Sequence, residues 1–227
     1  MLSPITRGLR SWLPLPAWWI VARHLDREAA TMLDVGCGQG GPIQYIRPRR
    51  GVSAVGADIF LPYLRQHLRD GAYEGLVLCD VRRLPFDPGS FDVVFCGEVL
   101  EHLEENEGRK LLTSIERIAR RQVIITTPVG HCAQHPYDDN EYQAHRSAWT
   151  PGALRRLGYR VRGSGLRGMG GLIAQENSPL PEWLRFVANV VWMAATPLTY
   201  CLPGLAGSMV CVKDVATPET GNANRRL

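Results

Sequence analysis

Residues Thr31 to Gly41 constrain this chain more than any other stretch. Thr31 to Val35 is short, mostly apolar and followed directly by glycines, the pattern of a buried parallel strand. The glycines at 36, 38, 40 and 41 let the backbone turn sharply and come close to a neighbour where a Cβ would collide. A strand entering such a loop is the first unit of a doubly wound α/β sheet. The alternation continues: strands are predicted at about 31–35, 52–57, 75–79, 91–96, 121–126 and 159–166, with helical segments between them. The predicted fold class is therefore α/β, a doubly wound, mostly parallel sheet with helices on both faces.

A chain of 227 residues that is 45% hydrophobic buries one sizeable core, so one domain with embellishments is expected. Residues 1–30 read as an N-terminal helical cap, with a helix around Trp18 to Glu28. Leu111, Leu112, Ile115, Ile118 and Ala119 fall at helical spacing within Arg109 to Arg120, giving a face for the sheet. Thr150 and Pro151 read as an N-cap with proline at the first helical position, opening a short helix that closes at Gly158. The tail, 214–227 and polar from Thr217 onward, is expected to be disordered.

The net charge of +4 comes from 24 Arg and 2 Lys against 22 acids, and the basic residues are scattered without a run of five. Solvated helix faces account for them, and no nucleic-acid partner is expected. Six cysteines occur without a C-x-x-C pair; Cys37, Cys79, Cys96 and Cys211 lie in or beside predicted strands, as small buried hydrophobes do. That is a reduced, intracellular pattern. Pro14 and Pro16 interrupt the apolar stretch from Trp12 to Ile20 and no small-residue cleavage site follows, so no signal peptide is read and a cytoplasmic location is expected.

The glycine loop by itself fits two ligands. Gly36, Gly38 and Gly40 match the G-x-G-x-G of S-adenosylmethionine (SAM) enzymes, while Gly36, Gly38 and Gly41 match the dinucleotide pattern G-x-G-x-x-G. Asp34, two residues before the first glycine, would repel a pyrophosphate but suits a ligand carrying a sulfonium and an ammonium. Asp58, 22 residues after Gly36, ends the second strand, where an acid can accept bonds from both ribose hydroxyls. Asp80 ends the third strand and is followed by Val81.

With Leu84-Pro85-Phe86, Ser90-Phe91-Asp92-Val93-Val94 and Glu98-Val99-Leu100-Glu101-His102-Leu103 added in order, the chain resembles the class I SAM-dependent methyltransferases of the type 11 group over roughly residues 30–166. The resemblance implies a Rossmann-like, seven-stranded sheet whose last strand, 207–213, is antiparallel, and a catalytic domain at 31–213 with SAM as cofactor. Carried over residue by residue, Asp34, Gly36, Cys37, Gly38 and Gly40 would hold the methionine part and Asp58 the ribose. Asp80 and the Val81 backbone would face the adenine, and Ile59 and Gly97 complete the cofactor set.

Two other readings stay open: a SAM-binding partner subunit without catalysis, and an NAD-binding domain. Cys96-Gly97-Glu98-Val99 stands where enzymes that methylate DNA adenine or glutamine amides carry Asn/Asp-Pro-Pro-aromatic. The resemblance instead implies transfer to oxygen or carbon of a small-molecule or a lipid- or glycan-linked acceptor. His102 is the candidate general base, with a structural histidine as the alternative. The loop after the fifth strand offers His131, His135, Tyr137 and His145 as substrate contacts. His131, His135, Asp138 and His145 match no dedicated metal spacing, so no metal is expected.

The segment 168–206 departs from a minimal domain of this kind. Phe186 to Pro203 has eighteen residues without a charge, near the length that spans a membrane, but Pro197 is expected to break it and the last strand must return to the same sheet. Three readings stand for 180–203: helices packed as an apolar lid over the substrate side, an oligomer interface, or peripheral membrane contact aided by Trp183, Arg185 and Trp192.

Overall fold

A computed structural model of the chain describes residues 17–41, 43, 44, 46, 51–136, 138–168 and 181–215. The proposed tail beyond 215, the N-terminal stretch 1–16 and the candidate Tyr137 lie outside the described residues.

Seven strands form one sheet: β1 (Thr31–Val35), β2 (Ser53–Asp58), β3 (Gly75–Leu78), β4 (Phe91–Gly97), β5 (Ala119–Pro128), β6 (Arg160–Ser164) and β7 (Ser208–Asp214), in the order β3-β2-β1-β4-β5-β7-β6. β1 pairs in parallel with β2 and β4, whereas β7 runs antiparallel to both β5 and β6. The expected doubly wound topology and antiparallel last strand are both present. Chain order reverses between β1 and β4, which opens a crevice beyond their carboxyl ends, the usual ligand position in such sheets.

Alternate residues of the central strands feed two cores. Leu33, Val35, Val94 and Cys96 pack on one face with Leu111, Leu112, Ile115 and Ile118 of α3 (Glu105–Ile118). Met32, Val93 and Phe95 face the other way, onto Ile20 and Val21 of α1 (Ala17–His24) and Leu64 of α2 (Leu61–Asp70). This period of two is what a central parallel strand imposes when both faces are covered. Thr150 caps α4 (Pro151–Arg156) as expected, its hydroxyl accepting from the Ala153 amide at 3.2 Å.

Three expectations need correction. The first helix ends at His24 rather than Glu28, because the chain then turns so that the Asp26 amide donates to Gln122 of β5. Ala119 begins β5 instead of ending the preceding helix; its backbone is extended and pairs with Phe91. Pro197 lies inside α5 (Glu182–Cys201) without breaking it. The proline is one turn from the end, and the Thr196 and Thr199 hydroxyls donate to the carbonyls of Trp192 and Thr196, holding the turn around it.

α5 lies against β6, where a Cβ on Gly163 would sit 2.2 Å from the Thr199 carbonyl oxygen. Its outer face exposes Trp183, Phe186, Val187, Val190, Val191 and Leu198. Among the described residues, no helix is long and apolar enough to cross a membrane.

Candidate functional site

Beyond the carboxyl ends of β1, β2 and β4 lies a cavity of about 630 Å³. At one end its wall carries nine of the ten residues expected to hold the cofactor: Asp34, Gly36, Cys37, Gly38, Asp58, Ile59, Asp80, Val81 and Gly97. Gly40 is the exception. It is buried behind the loop, where a Cβ would sit 2.7 Å from His67 Cε1, so its contribution is to the shape of the loop.

The loop is held mainly through its backbone. The Gly36 amide donates to the Ala57 carbonyl at 2.7 Å, and the Gly38 amide to Asp58 Oδ2 at 2.8 Å. His67 Nε2 lies 2.8 Å from the Gly38 carbonyl. Gly36 has φ +69°, and a Cβ there would be 2.3 Å from Val99 Cγ2, so only glycine fits both the turn and the space. Gly38 differs: a Cβ would meet only the Gly36 carbonyl oxygen, at 3.9 Å, and otherwise open space. The loop thus forms a cradle with an open floor.

The three acids do not present themselves alike. Asp34 is buried at 3% exposure and accepts a 2.6 Å bond from the Tyr73 hydroxyl. Burial, opposed by that bond but reinforced by Asp58, pushes its pKa up to about 7. Its charge is therefore weaker than the sequence argument assumed, and discrimination against a pyrophosphate rests less on it. Asp58 accepts from the amides of Gly38 and Phe60, fixing the loop and leaving further lone pairs for a ligand. Asp80 caps a short turn and is gripped by Arg82 at 2.7 Å, which holds its carboxyl below the usual range. That ion pair was not anticipated, although Arg82 stands only two residues away. Burial raises the thiols of Cys37 and Cys96 far above neutrality, so neither supplies a thiolate.

The other end of the cavity is built from side chains. Glu98 follows the last residue of β4 and adopts φ +53°, rare for a residue with a side chain, as its amide reaches the Thr126 carbonyl. A single turn of 3-10 helix at Leu100–His102 follows, bringing Glu101 beside Glu98. Glu101 is 2% exposed; Thr127 Oγ1 donates to its Oε2 at 2.9 Å, while its Oε1 meets no N–H or hydroxyl donor and the Glu98 carboxyl shares a side-chain hydrogen bond with it. Both carboxyls are held above the ordinary range, by burial first, with the charge of Glu98 adding to the effect on Glu101. This pair was missed, although a spacing of three across a tight turn was visible in Glu98-Val99-Leu100-Glu101.

His102 lines the same end, with Nδ1 3.2 Å from the Ala144 carbonyl oxygen. Burial lowers its pKa below 6.5, keeping the ring neutral at pH 7. His145 joins it from the loop after β5, ring centroids 4.8 Å apart, with Nδ1 against the Cys132 carbonyl. The loop is tied down where the Arg146 and Ser147 amides donate to the Glu101 carbonyl, and by Asp138, which accepts from Gln39 and Tyr63. His131 and His135, expected as substrate contacts, are exposed and absent from the cavity wall; of the loop's three histidines only His145 reaches it, alongside Gln134, Asn140, Tyr142 and Gln143. None of the described residues of α5 lines the cavity, so α5 does not form a lid over this site.

Residues 33–127 match the family model described as a methyltransferase domain. The malonyl-[acyl-carrier protein] O-methyltransferase of Pseudescherichia vulneris is 30% identical over 101 residues, 44% of this chain and 39% of that protein. The ubiquinone biosynthesis O-methyltransferase of Pseudomonas paraeruginosa is 37% identical over 101 residues, 40% of this chain and 41% of that protein. This chain thus spans about two fifths of the length of those relatives. The phthiotriol/phenolphthiotriol dimycocerosates methyltransferase of Mycobacterium tuberculosis is 29% identical over 205 residues, covering 84% of this chain and 72% of that one.

Among solved structures, the complex between the Haloferax volcanii Trm112 methyltransferase activator and the putative methyltransferase shares the fold, with TM-score 0.57, 20% identity and 92% of each chain covered. So does a SAM dependent methyltransferase from Archaeoglobus fulgidus, with TM-score 0.54, 17% identity and coverage of 87% of this chain and 92% of that one. Domain match, strand order and glycine cradle agree: residues 33–127 carry a methyltransferase domain similar to those of the type 11 group, on the Rossmann-like sheet of the class I methyltransferases, whose cofactor is SAM.

Proposed function

We propose that this chain transfers a methyl group from SAM to an oxygen or carbon of a small-molecule or a lipid- or glycan-linked acceptor. One observation carries the reading: a single cavity joins the glycine cradle to the Glu98, Glu101, His102 and His145 cluster, so donor and acceptor would meet at Gly97. When bound, SAM supplies a methyl carbon on a sulfonium, already a good leaving group. The chain then has mainly to align an attacking atom and exclude water.

In this reading the backbone from Gly36 to Gly38 would hold the methionine part, Asp58 the ribose hydroxyls, and Asp80, Val81 and Ile59 the adenine end. His102 would take the proton from an acceptor hydroxyl, which its neutral ring supports. The relatives, named for a malonyl-[acyl-carrier protein], for ubiquinone biosynthesis and for phthiotriol/phenolphthiotriol dimycocerosates, favour an oxygen on a lipid-like or carrier-linked acceptor.

Residues 31–213 would act as the catalytic unit, with 1–30 as its cap. The exposed apolar face of α5 supports either peripheral membrane contact or self-association through 180–203. Co-sedimentation with anionic liposomes separates the two. Radiolabelled methyl transfer from SAM into hydroxylated lipid, acyl-carrier and glycan precursors tests the function. Labelled product is expected. Full SAM binding without any labelled product would shift the reading to a non-catalytic SAM-binding subunit.

A further inference from the structure

We propose that Glu101, His102 and His145 bind one divalent transition-metal ion at the acceptor end of the cavity. The proposal rests on the methyltransferase reading and deepens it by assigning what activates the acceptor. One ligand atom from each residue can be chosen so that all three lie within 4.8 Å of one another. Glu101 Oε1 is buried and meets no donor other than the carboxyl of Glu98 beside it. Leaving such an oxygen unsatisfied is costly unless a proton or a cation meets it.

The two histidines point to the cation. Each has Nδ1 against a backbone carbonyl, of Ala144 for His102 and of Cys132 for His145. A proton held there leaves the Nε2 lone pair for a metal, the same outer bonding that orients metal-binding imidazoles. Glu98 stands beside Glu101 as a second carboxyl that a cation would draw into its charged form, and neither has an arginine or lysine ion pair among the described residues.

Two imidazoles and a carboxylate suit zinc, iron, cobalt or manganese better than calcium or magnesium. Ligand atoms on a tetrahedral zinc ion, bound at about 2.0–2.1 Å, stand roughly 3.4 Å apart, so side-chain rotations of about an ångström close the site. Three protein ligands leave coordination positions open toward the cavity. An acceptor hydroxyl bound there would be far more acidic than in water, and His102 would serve as a ligand instead of taking the proton directly.

The test uses the full chain, stripped with chelator and titrated with Zn²⁺ by calorimetry and with Co²⁺ by visible absorption, alongside S-adenosylhomocysteine as a separate ligand. One ion per chain is expected, with cobalt bands characteristic of a low-coordinate nitrogen and oxygen site. Glu101→Gln and, on the half-buried loop, His145→Ala are each expected to weaken Zn²⁺ binding at least tenfold, whereas His131→Ala leaves it unchanged. A chain that binds S-adenosylhomocysteine but no stoichiometric ion overturns the proposal. So does a His145→Ala variant with unaltered Zn²⁺ affinity. A chain that fails to bind S-adenosylhomocysteine overturns instead the methyltransferase reading beneath it.

Discussion

The two ends of the cavity are built by different means. The cofactor end is made of backbone: a loop bent through three positive-φ glycines and pinned by Asp58 and His67, at the tips of adjacent parallel strands. The acceptor end is made of side chains drawn from distant parts of the chain, with Glu101 meeting Thr127 and the amides of residues 146 and 147, and His102 meeting His145. A backbone cradle tolerates few substitutions and so keeps a recognisable pattern. A side-chain cluster can be rebuilt for a new acceptor while the sheet stays the same.

If that contrast holds, protonation should act on the two ends separately. Asp34 titrates at about 7 in the folded chain against 3.8 when unfolded. Its contribution to stability is therefore complete below about pH 4 and is lost as pH rises through 7. Asp34→Asn should flatten the fall in stability between pH 4 and pH 8 by at most about 4 kcal/mol, read by urea unfolding at several pH values. Glu98 and Glu101, raised in the same direction, should leave a residual slope. A slope identical to that of the parent would place the pH response wholly at the acceptor end.

Gly36→Ala combines a left-handed φ with a Cβ 2.3 Å from Val99, and should cost about 3 kcal/mol. It is expected to abolish S-adenosylhomocysteine binding and lower the melting temperature together. Full binding in that variant would mean that the cradle is softer than its geometry implies. Asp58→Ala should weaken the same ligand by about 1–3 kcal/mol, roughly five- to 150-fold, through lost hydrogen bonds to ligand and loop. The smallest effect is expected at the join between the ends. Asp138→Ala removes the bonds to Gln39 and Tyr63 and should cost about 0.5–1 kcal/mol, seen as a few-fold faster ligand release in stopped flow.

The same contrast explains what could be read from the sequence. β1 at Thr31–Val35 and the Thr150 cap were legible because they depend on neighbours within a few residues. Nine of the ten cofactor positions reach the cavity wall because strand tips and glycines mark themselves. Pro197 misled because its local rule, breaking a helix, yields where the break falls in the last turn and threonine hydroxyls back up the turn around it. Arg82 reaching back to Asp80 and Glu101 facing Glu98 were within reach of short-range reasoning, since turns bring residues two and three apart together. The turning inward of His145 but not His131 or His135 was not, because the route of that loop is set by amides of residues 146 and 147 docking on Glu101, over forty residues away.

The central claim is that the cradle holds SAM and not a dinucleotide. Calorimetric titration of the purified chain with S-adenosylhomocysteine and, separately, with NADH tests it most directly. One-to-one binding of S-adenosylhomocysteine, weakened by Asp58→Ala, with no heat from NADH, is the predicted result. Tight NADH binding with no response to S-adenosylhomocysteine would contradict the account.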